Sequence, residues 1–220
     1  MIEDLFNCGR MKGDKRREQI LQMAVDLFSQ RGFKGTTTKE IARLAGVSEA
    51  MVFRHFENKD VLYAAILGDK CSDDRLHRFP WEENEIFNRA IRENDDFGVF
   101  YNMALNAMDK QQADVGFMRL LMYSALEEHE LAERFFNEFI TQLYDFIGGY
   151  IKRRQINGAF REVDPRIVVR AFLGMLINHS LNNILFDKRK TLLNISNEEA
   201  AKNFAEILLY GIRSQTTEKL

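Results

Sequence analysis

Apolar residues recur at helical spacing along most of the chain. In the segment 14–31 they occupy positions i, i+4, i+7 and i+8, which lie on one face of a helix: Ile20, Ala24, Leu27 and Phe28. Gly32 follows as a helix end. No segment alternates apolar and polar residues as a half-buried strand does, and the 2 prolines in 220 residues leave long helices uninterrupted. The pattern predicts an all-α protein.

Two short helices are predicted next, each opened by a capping residue. Thr37 and Glu40 have the spacing of a capping box, in which the threonine hydroxyl accepts from the Glu40 amide and the Glu40 carboxylate reaches back. Ser48 is placed to cap the second helix. Between the two helices, Gly46 can adopt the left-handed conformation that a tight turn needs. The spacing predicts a helix-turn-helix unit.

The same pattern identifies the apolar side chains that should be buried in this unit. Those expected to point inward are Ile41, Leu44, Ala45, Val52 and Phe56. They would form a small core between the two short helices and the helix over 14–31.

Helical periodicity continues beyond this unit. Asn58 is placed to cap a helix that begins at Lys59. Breaks are predicted at 79–81, which contains a proline, and at 111–116, and a long amphipathic helix is predicted over 131–154.

The last two predicted helices are unusually apolar. Asp164 caps the first, with Pro165 at its first position, and the segment 166–186 is apolar nearly all the way round. Ser196 caps the last helix, over 197–212. Because a helix of this kind must be covered on both flanks, we expect a homodimer in which these two helices of each subunit form a four-helix bundle. A single deep core within one monomer is the alternative.

Charge is distributed unevenly along the chain. Residues 10–59 contain 11 Lys and Arg against 6 Asp and Glu, a balance of +5, whereas the remainder holds 20 against 27, a balance of −7. A basic N-terminal part on an acidic body indicates that a polyanion partner would bind the N-terminal part.

The cysteines and the apolar runs limit the class of protein. Cys8 and Cys71 form neither a ligand cluster nor a disulfide framework, and the chain does not start with a charged-then-apolar signal segment. The apolar runs are too short to cross a bilayer. These features favour a cytoplasmic protein without a membrane span.

The segment FKGTTTKEIARLAGVSEAMVFRHFENKDVLYAAI, residues 33–66, resembles the DNA-binding domain of the TetR family. The resemblance lies in the Thr-Thr cap, the Ala-Gly-Val-Ser turn, the aromatic-x-His-Phe sequence and the following Asn-Lys. It implies a helix-turn-helix domain with its N-terminal arm over 1–58 and a larger helical effector-binding and dimerisation domain over 59–220. It further implies a dimeric, usually repressing transcription factor that binds a palindromic operator and a small-molecule effector.

The resemblance also implies which residues contact DNA. A recognition helix over 48–55 would enter the major groove, with candidates for base edges at Ser48, Glu49, Ala50, Met51 and Arg54. Phosphate contacts would come from Thr37, Thr38, Lys39, His55 and Lys59. Phe53 stands where the family often has tyrosine, so that its ring can pack but cannot donate a hydrogen bond.

Effector-binding residues are sought among the aromatic, methionine and amide side chains of the body. The candidates are Phe100, Met103, Phe117, Met122, Phe139, Phe172, Met175, Asn178 and His179. Most of the aromatic and methionine residues would equally serve as ordinary core. Asn178, His179, Asn182 and Asn183 interrupt an apolar helix, and they line either the effector pocket or the dimer interface. An apolar pocket would take a lipophilic or aromatic ligand.

Other classes of function fit the sequence less well. No nucleophile elbow, phosphate loop or paired-carboxylate pattern occurs, so an enzyme is not expected, and no cofactor or metal is implied. His55 lacks a ligand at metal spacing, and the segment 127–130 is interpreted as a solvated, charged helix start. The alternative is a helical adaptor whose basic N-terminal part binds protein rather than DNA.

Overall fold

The structure is a computed structural model, and it describes residues 13–72, 79 and 84–214. The all-α prediction is confirmed: the described chain consists of helices and connecting turns, with one isolated bridge between Phe160 and Arg213. The helices are α1 (Gly13–Arg31), α2 (Thr38–Leu44), α3 (Glu49–His55), α4 (Lys59–Ser72), α5 (Glu85–Glu93), α6 (Asp96–Ala113), α7 (Val115–Leu126), α8 (Glu130–Phe135), α9 (Thr141–Ile156), α10 (Pro165–Leu181) and α11 (Asn197–Ile212). In this part of the chain, none of the helices combines the length and apolarity that a membrane span needs.

The chain divides into two compact units. Among the described residues, the first unit holds 13–72 and 116–134, and the second holds 79, 84–115 and 135–214. The first unit therefore contains α4 and most of α7, which lie beyond the predicted domain boundary between residues 58 and 59. The assignment of 1–58 and 59–220 to separate functions stays a prediction.

The first unit is built around the apolar face of α1. Ile20, Ala24 and Phe28 are fully buried, as the spacing predicts. The Phe28 ring meets the edge of Tyr63 from α4, with ring centroids 4.7 Å apart. Burial of several large side chains, each contributing about 1.5–3 kcal/mol, is what holds these short helices together.

The predicted caps of the first unit are confirmed. Thr37 accepts from the Glu40 amide (3.2 Å), and the Glu40 carboxylate accepts from the Thr37 amide (3.0 Å). Ser48 accepts from the Met51 amide (3.2 Å) and opens α3. Gly46 adopts a positive φ of 63° in the turn between α2 and α3. The helix-turn-helix geometry therefore follows from local chemistry.

The buried positions of this unit differ from the prediction at one residue. Ile41, Ala45, Val52 and Phe56 are buried, but Leu44 is 43% exposed. Ile41 and Ala45 are one helical turn apart and share the inner face of α2, whereas Leu44 lies at its edge. The expectation that Leu44 points inward is wrong.

The second unit has one continuous hydrophobic core. Phe100 of α6 and Phe172 of α10 are fully buried and meet edge to face at 5.2 Å. Ala201 and Ala205 of α11 are also fully buried, and α11 packs on α6 through them and their neighbours. These small side chains let two helices approach closely.

Two long helices contain a π-helical turn that the periodicity does not predict. The predicted helix over 131–154 is helical throughout, but Phe136–Ile140 is a π-helical turn between α8 and α9. The predicted helix over 166–186 ends in a second π-helical turn, Asn182–Phe186. The caps at Asp164 and Ser196 are confirmed.

Some sequence predictions lie outside the described residues. The break at 79–81 is one, because Pro80 and Trp81 are not described, and Cys8 and the side chain of Cys71 are others. The break at 111–116 is confirmed, since α6 ends at Ala113 and α7 begins at Val115.

Candidate nucleic-acid interface

The outer face of α3 carries the residues expected to read bases. Ser48, Ala50, Phe53 and Arg54 are exposed, while Val52 is buried beneath them. Met51 and Glu49 are half-buried at the margin of this face. No described residue forms an ion pair or hydrogen bond with the Arg54 guanidinium, so its fork of donors is available to a ligand. Phe53 is 46% exposed, an apolar surface facing solvent beside a cation.

Glu49 is held in place by a residue of the neighbouring helix. The Thr38 hydroxyl donates to the Glu49 carboxylate over 2.6 Å. The resemblance assigns Thr38 to a phosphate, whereas in this structure its hydroxyl is bonded to the first residue of α3. The bond links the start of α2 to the start of α3 and fixes the carboxylate of Glu49 at the N-terminal end of the recognition helix.

The candidate phosphate ligands fall into two groups. Lys39 is exposed and no described residue pairs with it, so that its charge is available to an anion. The ammonium of Lys59 instead donates to the carbonyls of Phe33 (2.9 Å) and Thr36 (3.0 Å), and lies 4.1 Å from the Phe33 ring centroid. Lys59 therefore stabilises the loop between α1 and α2, and its predicted phosphate contact stays a prediction.

The other two candidates flank these lysines. Thr37 is exposed, but its hydroxyl is already bonded to Glu40, whose pKa is lowered by the hydrogen bonds from Thr37. His55 is half-buried, and its ring lies 6.4 Å from that of Phe56. Both stand at the rim of the face formed by α3, where a backbone contact is feasible.

A ladder of polar side chains on α7 binds the end of α1, and the sequence does not predict it. Arg119 donates to the Ser29 carbonyl (2.9 Å), and Tyr123 donates to the Gln30 carbonyl (3.2 Å). Arg119 and Tyr123 are four residues apart and lie on one side of α7, and Glu127 follows four residues later, directly after the end of the helix. We call Arg119, Tyr123 and Glu127 the α7 ladder.

Glu127 makes the last contact of the ladder. Its carboxylate accepts from the amides of Phe33 (2.9 Å) and Lys34 (3.3 Å). The ladder therefore satisfies backbone groups that the C-terminal end of α1 and the following loop leave unpaired. Residues about ninety positions away in the sequence fix the loop that precedes Thr37.

His129 joins the same contact through its ring. Its centroid lies 4.6 Å from Phe33 and 4.5 Å from Tyr63. Burial, and then the charge of Glu127, raise the pKa of Tyr63 to about 12. The interpretation of 127–130 as a solvated helix start is wrong for Glu127 and His129, because both pack within the first unit, Glu127 on the loop after α1 and His129 on Phe33 and Tyr63. Polar residues at the end of a helix give no local signal that distinguishes a solvated helix start from one that packs on another element.

Among the described residues, no cluster of His, Cys, Asp and Glu could hold a metal ion.

The comparison with protein families identifies this unit. Residues 20–66 match the family model described as bacterial regulatory proteins, tetR family. Residues 20–66 thus match the TetR family. An uncharacterized HTH-type transcriptional regulator, YvkB of Bacillus subtilis, is 46% identical over 56 residues, which cover 26% of this chain and 30% of that relative. The match to this relative thus spans less than a third of its length.

Solved structures extend the likeness beyond this segment to the fold. NalD, described as the secondary repressor of the MexAB-OprM multidrug efflux pump in Pseudomonas aeruginosa, superposes with a TM-score of 0.68 at 22% identity, covering 93% of this chain and 100% of NalD. AibR, solved in complex with isovaleryl coenzyme A and operator DNA, superposes with a TM-score of 0.62 at 20% identity, covering 88% and 98%. At these identities the likeness concerns the fold alone.

The predicted effector residues of this chain occupy different places. Phe100, Met103 and Phe172 are buried in the core of the second unit. Phe117 and Met122 lie on α7 and belong to the first unit. Phe139 is half-buried and stacks on Phe79 at 4.7 Å. None of these six side chains is in the lining of the pocket at the end of α10.

The three remaining candidates do share a pocket in the second unit. It has a volume of about 310 Å³ and lies at the C-terminal end of α10, against the following π-helical turn and α11. Its lining consists of Met175, Asn178, His179, Asn182, Asn183, Asp187, Leu192, Leu193 and Phe204. All four polar residues whose role the sequence leaves open, Asn178, His179, Asn182 and Asn183, thus face one space.

Replacing Glu127 tests the α7 ladder without reference to any ligand. We expect Glu127→Ala to destabilise the first unit by about 1–3 kcal/mol, because it leaves the Phe33 and Lys34 amides without their acceptor. Urea unfolding followed by hydrogen exchange of α1 amides measures it. Glu18→Ala, which removes an exposed carboxylate from α1, is the matched control and should change stability by less than about 0.5 kcal/mol. Equal effects of the two substitutions would contradict the structural role of Glu127.

Proposed function

We propose that this chain is a homodimeric, DNA-binding transcriptional regulator, a repressor that a small lipophilic or aromatic molecule releases from a palindromic operator. The observation that carries the proposal is the outer face of α3. There Arg54, which has no partner among the described residues, and Glu49, which Thr38 positions, flank small and apolar side chains on a capped helix. A face of this composition matches the donor, acceptor and methyl groups of the major groove.

Each residue of the face has a chemical partner on DNA. Arg54 can donate two hydrogen bonds to guanine O6 and N7, and Glu49 can accept from cytosine N4. Ala50 and Met51 can contact a thymine methyl group, and Ser48 can bond either a base or a phosphate. Thr37, Lys39 and His55 at the rim would set the register on the backbone without reading sequence.

Exposed faces on the last two helices support dimerisation. On α10, Ile167 is 63% exposed, and Ala171 and Gly174 continue its side of the helix at i+4 and i+7. On α11, Ile207 and Tyr210 are 60% and 82% exposed. Small residues between apolar ones let a second copy of the same helices pack closely. In such a dimer the two recognition helices would meet half-sites about 34 Å apart.

Regulation by a ligand would act through the α7 ladder. This helix follows α6 directly in the chain, after Asp114, and its side chains hold the loop that positions Thr37 and Lys59. A ligand with different affinities for two arrangements of the body would shift α7 and change the spacing of the two DNA-binding units. The family relatives support this scheme, since NalD is described as a repressor and AibR was solved with both an acyl coenzyme A and operator DNA.

Selection of binding sites from random duplex DNA tests the proposal. We expect purified protein, at a stated salt concentration, to enrich a palindrome whose half-sites are one helical turn apart. Enrichment of a single half-site would contradict the dimer. Weak, salt-sensitive binding without enrichment would contradict sequence-specific regulation and favour the adaptor, whose basic N-terminal part binds protein.

Replacing Thr38 tests whether the Glu49 carboxylate contacts a base. We expect Thr38→Val, which keeps the shape and removes the hydroxyl, to weaken operator binding about fivefold, since the loss of one hydrogen bond costs about 1 kcal/mol. The loss should disappear at operators mutated at the base pair that Glu49 contacts. Fluorescence anisotropy on a set of single-base variants measures this, and a uniform loss on all of them would instead assign Thr38 to a phosphate.

Substitution of Lys39 and substitution of Lys59 should differ in their effects on the salt dependence of DNA binding and on the stability of the first unit. Lys39→Ala should lower the slope of log K against log salt by about one, with unchanged stability, because it removes one phosphate contact. Lys59→Ala should also destabilise the first unit, by about 1–3 kcal/mol, because the Phe33 and Thr36 carbonyls lose their donor. Binding titrations from low to high salt and urea unfolding measure both. Loss of stability with Lys39→Ala, or none with Lys59→Ala, would reverse this assignment.

A further inference from the structure

The helical face proposed for the dimer is small. A specific interface between two proteins buries roughly 800 Å² on each partner and involves about 20–30 residues a side. The exposed, uncharged residues of α10 and α11, which would form the centre of the interface, are Ile167, Ala171, Gly174, Asn178, Asn203, Ile207, Tyr210 and Gly211. Glycine and alanine are prominent among them, and their side chains bury little area. We therefore expect the interface to extend beyond these two helices onto a surface that adjoins them.

The segment 187–193, which we call the α10–α11 turn, presents large apolar side chains at the end of that face. Leu192 is 87% exposed and Leu193 is exposed as well, while Phe186, directly before the turn, is 79% exposed. Both leucines line the pocket at the end of α10 together with Asn178. The apolar part of the turn is therefore continuous with the C-terminal end of the α10 face.

Internal hydrogen bonds fix the conformation of the α10–α11 turn. Asp187 is buried, and its carboxylate accepts from the amides of Thr191 (2.7 Å), Leu192 (2.9 Å) and Leu193 (3.3 Å) and from the Thr191 hydroxyl (2.8 Å). The Asp187 carbonyl accepts from the amide of Lys190 (2.8 Å), which has a positive φ of 52°. The backbone thus holds the two leucines in place although their side chains face solvent. A pre-organised surface of this kind loses little conformational freedom when it docks.

The distribution of charge separates the centre of this surface from its rim. In a chain with 29% charged residues, the exposed positions of α10 after Arg170 and of α11 after Lys202 are all uncharged. Depletion of charge is the compositional signal of an interface centre, whereas the rim of an interface is polar and solvated. The exposed cations of the turn, Lys188, Arg189 and Lys190, are placed for such a rim. Clustered exposed apolar side chains beside an uncharged face indicate an interaction site rather than ordinary surface.

We infer that the α10–α11 turn belongs to the dimer interface, where a second copy of this chain covers Leu192 and Leu193 and closes the pocket at the end of α10. The pocket, of about 310 Å³, reaches solvent where these two leucines and Asn178 are exposed, so that covering them encloses it. Each pocket is then completed by the other subunit, since a two-fold interface uses the same patch on both copies. The inference rests on the proposed homodimer and adds to it a contact outside the two helices.

Photocrosslinking in the full-length protein tests this contact directly. The photoreactive residue p-benzoylphenylalanine replaces Leu192 in one sample and Leu126 in another. Leu126 is the matched control, because it is 83% exposed and lies in the first unit. Light and heavy-isotope-labelled copies are mixed before irradiation. We expect position 192 to give a covalent dimer that joins a light peptide to a heavy one, and position 126 to give none.

Sedimentation equilibrium measures what the turn contributes to dimerisation. We expect Leu192→Ser to raise the dimer dissociation constant at least about tenfold, because every dimer loses two buried leucine side chains. Leu126→Ser should leave the constant unchanged. Ile207→Asp, which places a charge on the helical face of α11, should dissociate the dimer independently of the turn. Thermal melting confirms that each variant is folded, and crosslinking at position 192 does not depend on the serine variant.

The outcomes separate this inference from the proposed function. Either an unchanged dissociation constant with Leu192→Ser or the absence of a light–heavy crosslink at position 192 would overturn the inference. A dimer that Ile207→Asp disrupts would still support the proposed homodimer in that case. A monomeric unsubstituted chain would overturn both.

The cations beside the leucines define the competing occupant, an anionic lipid surface. Co-sedimentation with vesicles of phosphatidylserine and phosphatidylcholine tests it. We expect the unsubstituted dimer to stay in the supernatant, because its leucines are covered. Vesicle binding by the dimer that Leu192→Ser abolishes would mean that the leucines remain exposed after dimerisation, and would overturn the inference.

Discussion

Arg54→Ala is expected to cost about 1–3 kcal/mol of operator affinity at one particular base pair, a loss of roughly 5- to 150-fold. The guanidinium is exposed on α3 and unpaired within the described part of the chain, so that the whole fork of donors is available to a guanine. The variant should lose its preference at that position and bind operators with any of the four base pairs there with similar affinity. Competition binding on operators changed at single positions measures the effect.

Two controls distinguish base recognition by Arg54 from its charge. Arg54→Lys keeps the charge but not the planar fork, and we expect it to bind random DNA as the unchanged protein does without restoring the preference at that base pair. Arg189→Ala removes an exposed charge from the second unit and should change neither. If Arg54→Ala weakened cognate and random DNA equally, Arg54 would be a phosphate ligand and base recognition would rest on Glu49 and its neighbours.

Local chemistry explains which parts of the fold the sequence predicts. Capping residues act within four positions of themselves, so that Thr37, Ser48 and Ser196 mark helix starts without knowledge of tertiary contacts. Apolar spacing likewise predicts the buried face of α1. The misplacement of Leu44 shows the limit of this reasoning, because an apolar residue at the edge of a stripe is buried only if a neighbouring element reaches it.

The α7 ladder and the pocket could not be predicted in the same way. Polar residues at i, i+4 and i+8 are typical of a solvated helix face, and only the fold reveals that Arg119, Tyr123 and Glu127 meet the end of α1. The sequence does single out the polar residues of α10, because amides on an apolar helix need partners. It does not predict the π-helical turn in which Asn182 and Asn183 lie, since the turn alters the angular spacing on which the periodicity depends.

The largest loss of stability is expected at Asp96, the first residue of α6. Its carboxylate accepts from Nε of Arg154 (2.7 Å), from Nη2 of the same residue (3.0 Å) and from the Tyr150 hydroxyl (2.6 Å). The side chains of Arg154 and Asp96 are only 15% and 12% exposed. Burial and the neighbouring Asp96 raise the pKa of the Tyr150 phenol, so that the tyrosine stays a neutral donor. These bonds join the N-terminus of α6 to α9 inside the second unit.

Asp96→Ala should therefore cost about 3–5 kcal/mol, because it leaves the Arg154 charge largely buried without a partner. Asp95→Ala is the matched control: Asp95 caps α6 by accepting from the Gly98 amide (3.0 Å), and loss of a cap costs about 1 kcal/mol. Urea unfolding of the second unit, followed by hydrogen exchange in α9, measures both variants.

The double variant Asp96→Leu with Arg154→Leu decides what the ion pair contributes. When both charges are removed and apolar side chains fill their places, no charge is left buried, and the desolvation cost of the pair is removed as well. We expect the double variant to be markedly more stable than Asp96→Ala alone. A double variant as unstable as the single one would mean that the Tyr150 hydrogen bond and the packing of α9 on α6, rather than an uncompensated charge, account for the loss.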